Sequence, residues 1–175
     1  YYYMAEPRVA ELRKKNAARS AQLVLKLLRE QPAGFTDIQN LTLALENGIN
    51  YKVFTPQEIR EILGHLSPLD GGLKTSWLQD NFQRDKLLIR GNATYGFKFN
   101  GLYQQLAYLY AASGQSEKVL QCMDSLLANS QANFQGEFAS GADNAANIAA
   151  VFYSSGNAGQ LDAFVAGYCR RKSTN

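Results

Sequence analysis

The residue types able to do chemistry are few in this chain and lie apart. His65 is the one histidine, between Gly64 and Leu66. It reads as a helix-end residue rather than a general base, because no partner acid stands at a useful spacing. The acids Glu58, Glu61, Asp70, Asp80 and Asp85 form no pair that the sequence would bring together. Gly71-Gly72 lacks the lysine-serine ending of a phosphate-cradling loop. Cys122 and Cys169 are too few for a disulfide framework and lack zinc-ligand spacing, and their apolar helical neighbourhoods read as two buried thiols. The tyrosines would suit base stacking or sugar contact. Tyr103, Tyr110 and Phe152, however, recur at helical spacing and read as core. No nucleophile, base, metal set or cofactor site follows, so the expected protein is not an enzyme and carries no cofactor.

Such a chain must act through surfaces, and its composition bounds them. With 175 residues, 46% hydrophobic and 19% charged, it suits one domain or two small ones with a real core. No apolar run approaches the roughly 20 residues that cross a bilayer. Tyr1-Tyr2-Tyr3 ahead of Met4 reads as the start of a fragment, a processed chain or a tagged form, and the aromatic triplet would also suit a membrane-interface belt. Asn40-Leu41-Thr42 and Asn92-Ala93-Thr94 fit the glycosylation acceptor pattern. The unpaired cysteines lean towards the cytoplasm, and the compartment is otherwise open. The net charge of +3 is uneven: residues 1–30 carry +4, 31–99 balance, 100–168 carry −4, and Arg170-Arg171-Lys172 restores +3. Attraction to an anion therefore belongs at the two ends.

The elements that would position those surfaces are mostly helices. Pro7–Arg29 reads as one long helix stopped by Gln31-Pro32-Ala33-Gly34. Thr36-x-x-Gln39 predicts a capped second helix, with Gly48 as its C-cap. Thr55-Pro56-Gln57-Glu58 predicts a stronger capping box, opening a helix that runs to Ser67-Pro68. Asp70-Gly71-Gly72 is a turn, after which Thr75 or Ser76 caps a helix through Trp77, Leu78, Phe82 and Leu87. Residues 86–99, with Gly91-Asn92 at the centre and Tyr95, Phe97 and Phe99 alternating, predict a short β-hairpin leaning on that helix.

That order of elements, with Leu73-Lys74-Thr75-Ser76-Trp77-Leu78 leading through Leu87-Leu88-Ile89-Arg90 to Tyr95-x-Phe97, resembles a winged-helix domain over about residues 20–99. The resemblance implies a recognition helix running into a wing, with Lys74, Arg84, Lys86 and Arg90 as its nucleic-acid contacts. Asp80 and Asp85 offset those bases and the segment is neutral, which favours structural or protein-binding use of the wing.

Residues 108–115 and 150–157 align around Ser113-Gly114 and Ser155-Gly156, at an offset of 42 residues. The same offset pairs Leu106 with Ile148, Ala107 with Ala149, Tyr110 with Phe152 and Val119 with Leu161. Internal repetition at such a period signals stacked helix hairpins. Tyr103, Leu106, Ala107, Tyr110 and Gly114, then Ile148, Ala149, Phe152, Gly156 and Val165, resemble the pattern of tetratricopeptide (TPR) repeats. Leu126, Tyr168 and Ala145 depart from that pattern, and the polar stretch 129–141 lengthens the period beyond about 34 residues. The resemblance implies a concave ligand face built from the first helix of each hairpin. Gln104, Tyr108, Asp143 and Tyr153 map to it, a set suited to a peptide or partner helix.

The combined expectation is a mainly α protein. Residues 1–99 would form a winged-helix-like half with a short β-hairpin, and residues 100–175 two degenerate TPR-like helix hairpins. The expected function is that of a scaffold or protein-interaction module, part of a larger protein, binding a protein or peptide through the TPR-like groove. A nucleic-acid-binding regulator using the winged-helix-like half is the alternative.

Overall fold

The computed structural model describes residues 7–30, 38–88, 96–132 and 142–173. Among them the chain forms α1 (Pro7–Glu30), α2 (Ile38–Asn50), α3 (Pro56–Leu66), a 3₁₀ turn (Pro68–Asp70), α4 (Ser76–Leu88), α5 (Gly96–Ala112), α6 (Ser116–Ala132), α7 (Ala142–Ser154) and α8 (Ala158–Ser173). No strand occurs among the described residues.

The expected β-hairpin, and the winged-helix half with it, is therefore overturned. Residues 86–88 finish α4 and residues 96–99 open α5, while 89–95 lie outside the described residues. The alternation Tyr95-x-Phe97-x-Phe99 spans only three positions. Phe99 also begins the spacing Phe99, Leu102, Tyr103, Leu106, which is the i, i+3, i+4, i+7 pattern of a buried helical face. The longer period prevails. The division placed between residues 99 and 100 falls inside the first turn of α5.

Local sequence explains several ends. Thr55 takes extended φ/ψ of −73° and 159° ahead of α3. Its Oγ1 accepts from the Glu58 amide at 3.2 Å, and the Thr55 amide donates back to Glu58 Oε2 at 2.8 Å. The expected capping box is thus formed, and those bonds to the charged form hold the Glu58 carboxyl below its usual range. The Thr36 cap lies outside the described residues. Gly48, expected to end α2, instead lies within it, since α2 continues to Asn50 and closes with Lys52 at φ 51°. Gly48 is needed for close approach: a Cβ there would stand 2.1 Å from Cε2 of Phe54, whose ring folds back over it.

The two hairpins α5–α6 and α7–α8 turn identically. Gly114 and Gly156 have φ of 75° and 76°. Gln115 N–H donates to the Tyr110 carbonyl at 2.9 Å and Gly114 N–H to Ala111 at 3.1 Å. Asn157 N–H donates to Phe152 at 2.9 Å and Gly156 N–H to Tyr153 at 3.2 Å. This is the same left-handed helix cap built twice. The hairpins stack in register, α5 against α7 and α6 against α8. The Asn157 side chain joins them by donating to the Ala112 carbonyl at 2.8 Å, where α5 ends.

One apolar core runs through the described residues. Helix α5 is its centre, with α2, α3, α4, α6 and α7 packed around it. Leu102, Leu106, Leu109 and Tyr110 of α5 are buried with Leu45 of α2, Ile62 and Leu66 of α3, Leu78 of α4 and Phe152 of α7. Cys122 is buried as expected, but Cys169 is exposed. Helix α8 packs on the core through Leu161, Phe164, Gly167 and Tyr168, and position 169 lies off that side. Val165 is open for the same reason, because no further hairpin packs there among the described residues.

Candidate functional site

A groove of about 500 Å³ opens between α2, α5 and α7. Gln104, Gln105 and Tyr108 rise from α5, Glu46, Ile49 and Asn50 from α2, and Asn147 and Val151 from α7. Each trio or pair follows helical geometry: 46, 49 and 50 share a face of α2, and 147 and 151 share a face of α7.

Gln104 and Tyr108, both expected in a groove, are there together. The Gln104 amide Nε2 donates to Asn144 Oδ1 at 3.1 Å and points to Tyr108 Oη at 3.4 Å. Tyr108 is half-buried, its ring against the core and its hydroxyl at the groove. Next to it Gln105 is almost wholly buried, and its Oε1 has no hydrogen-bond partner. A buried acceptor without a donor is costly, on the order of 1–3 kcal/mol.

Tyr153 falls elsewhere: it is 74% exposed and does not line the groove. Val151 does, and two residues on a helix is a rotation of about 200°, so Tyr153 faces away. Asp143 lies in the first turn of α7. Lys74 is exposed in the connection before α4, Arg84 and Lys86 lie within α4, and Arg90 is outside the described residues. Residues 86–88 and 96–99 are helical, so the described residues form no wing beside these bases. Sequence reasoning missed the α2 wall altogether, since no spacing in the chain says which helix lies against α5.

A second polar cluster ties the N-terminal helices to the hairpins. Tyr110, only 1% exposed, donates its hydroxyl to Asp70 Oδ2 at 2.5 Å and meets the buried Ser67 Oγ at 2.5 Å. Lys118 of α6 pairs with Asp70 Oδ1 at 2.5 Å. The Lys118 ammonium and the Tyr110 hydroxyl hold the Asp70 carboxyl below its usual range, while burial and the neighbouring carboxylate push the Tyr110 phenol well up. The phenol thus stays protonated and the carboxylate is engaged on both oxygens. Such a cluster clasps elements together and offers no free base.

His65 is partly buried, and desolvation followed by the Lys74 charge lowers its pKa. Burial pushes the Cys122 thiol up to about 12, leaving it a packed thiol rather than a nucleophile. Among the described residues no three histidine, cysteine or acidic side chains converge as metal ligands, and no helix is long and apolar enough to cross a membrane. Comparison with known proteins gives no match to a family model, a curated protein or a solved structure.

Proposed function

We propose that the protein is a non-enzymatic interaction module, built on degenerate TPR-like hairpins, which docks an extended peptide of a protein partner in the α2–α5–α7 groove. The unpartnered Gln105 Oε1 carries this reading. It sits beside a concave surface rich in neutral amides, the side-chain chemistry that pairs with a peptide backbone. A backbone N–H entering beside Tyr108, with a small rotation of the Gln105 amide, would supply the missing donor. Gln104, Asn50 and Asn147 would take the remaining backbone groups, and Ile49 and Val151 would contact an apolar side chain.

The test is a binding screen of arrayed peptides against the full chain and its Gln105→Leu and Tyr108→Ala variants. Peptides selected by the wild type should lose about tenfold or more in affinity with either variant, the size expected for a buried hydrogen bond or an aromatic contact. Selected peptides that bind both variants as well as the wild type would refute the groove.

A further inference from the structure

Helix α1 carries a repeat of its own, independent of the groove. Arg8, Leu12 and Lys15 recur eleven residues later as Arg19, Leu23 and Lys26. Eleven residues make just over three helical turns, so the two triplets lie nearly in line along one face, about 16 Å apart. Within each triplet the cations stand four residues before and three after the leucine, flanking it on the same face.

That face is open. Leu12 is 55% and Leu23 60% exposed, and every residue from Pro7 to Asn16 is exposed. Helix α1 packs on α2 and α3 through Ala17, Ala21, Val24, Leu25 and Leu28, which lie on another side. Among the described residues no salt bridge uses Arg8, Lys15, Arg19 or Lys26. The like charges at Lys15 and Arg19, one turn apart, repel and weaken the helix that bears them. Beside the second triplet a groove of about 450 Å³ runs between α1 and α2, with Val24, Leu27 and Ala44 along it.

From this arrangement we infer that the Arg-Leu-Lys face of α1 is a docking surface for an acidic amphipathic helix of a partner protein. Two isolated leucines, each between cations, fit a helix whose apolar side chains pack beside them while its carboxylates reach the four bases. The groove against α2 would then seat the end of that helix. An anionic bilayer fits less well, because Asn16 and Ser20 interrupt the line between Leu12 and Leu23 where an interfacial helix needs a continuous apolar face. Nucleic acid fits less well also, since phosphates would leave both leucines facing a charged strand.

A synthetic probe tests this without knowledge of the natural partner: a fluorescein-labelled peptide with the sequence of residues 7–30, every lysine and arginine replaced by glutamate. Fluorescence anisotropy at low salt should show binding to the full chain. The double variants Arg19→Glu/Lys26→Glu and Leu12→Ser/Leu23→Ser should each weaken it by about tenfold or more, with unchanged thermal unfolding, as expected when exposed groups act only in an interface. Tyr108→Ala should leave it unaffected, which separates this surface from the groove. Absence of binding, or binding indifferent to both double variants, would overturn the inference. So would binding of phosphatidylserine vesicles or duplex DNA, lost in the charge-reversal variant, while the peptide fails to bind.

Discussion

The Tyr110 hydroxyl reaches from the last turn of α5 to Asp70 at the end of the 3₁₀ turn, a separation of 40 residues closed by one bond of 2.5 Å. Ser67 shares the same phenolic oxygen and is fully buried. The phenol therefore does two things at once: its ring fills the core, and its oxygen satisfies the chain between α3 and α4.

Replacing Tyr110 separates those roles. Tyr110→Phe keeps the ring and strands the Ser67 hydroxyl, and should cost about 1–3 kcal/mol. Tyr110→Ala removes both and should cost about 3–5 kcal/mol. Ser67→Ala should be nearly neutral once Phe is at 110, because its partner has gone. Urea unfolding of the two single variants and the double variant measures the coupling, and simple additivity would show that the hydroxyls do not act together.

Acid sensitivity follows from Asp70. Its folded-state pKa is lowered, so its contribution is complete above the unfolded value of about 4 and is lost as pH falls through the lowered folded value. Glu58 and Glu61 are lowered too, so the wild type should weaken steadily in acid. Asp70→Asn should start less stable at pH 7 and fall less steeply below about pH 4. Denaturation midpoints across a pH series would check the slope. A slope identical to the wild type would mean that the Lys118–Asp70 pair is not formed in solution.

The two turn glycines should respond unequally. Alanine at Gly156 meets nothing within 4 Å and costs only the left-handed backbone, about 1–2 kcal/mol. Alanine at Gly114 would also stand 2.9 Å from Asn157 Oδ1, disturbing the amide that caps α5. Thermal melts should therefore rank Gly114→Ala below Gly156→Ala.

Lys52 invites the opposite change. It holds φ 51° at the end of α2 without the freedom of glycine. Lys52→Gly should raise stability by up to about 1 kcal/mol by relieving that strain. Gly48→Ala, by contrast, would drive a methyl into the Phe54 ring and should lower it. Opposite shifts in the two melting temperatures are the expected readout.

These positions also show what the sequence made legible. The 42-residue offset located both turns and their glycines, because a left-handed cap is a local event that needs a particular residue. The capping box at Thr55 was legible for the same reason. The hairpin at 86–99 was misread because three alternating aromatics satisfy a strand locally, while the longer helical period from Phe99 onward decided the outcome. Gly48 was misread as a stop because the ring that requires it arrives six residues later, from beyond the helix. The pairing of Tyr110 with Phe152 marked position 110 as core, and only packing revealed what the Tyr110 oxygen holds. Half of the groove was legible in Gln104 and Tyr108, whereas its α2 wall depended on tertiary packing that no spacing encodes.

The position of α5 has a consequence for how the molecule opens. Five helices lean on this one, from both sides of the chain, so no outer element can shield itself if α5 loosens. Amide protons from Leu102 to Ala111 should accordingly exchange with solvent only through opening of the whole molecule, at the slowest rates in the protein. Those of Arg8–Asn16, whose residues are all exposed, should exchange fastest among the helices described. The same chain would then hold a segment that almost never meets water next to one that never leaves it. Mass spectrometry of deuterium uptake would see two separate clocks rather than a gradient.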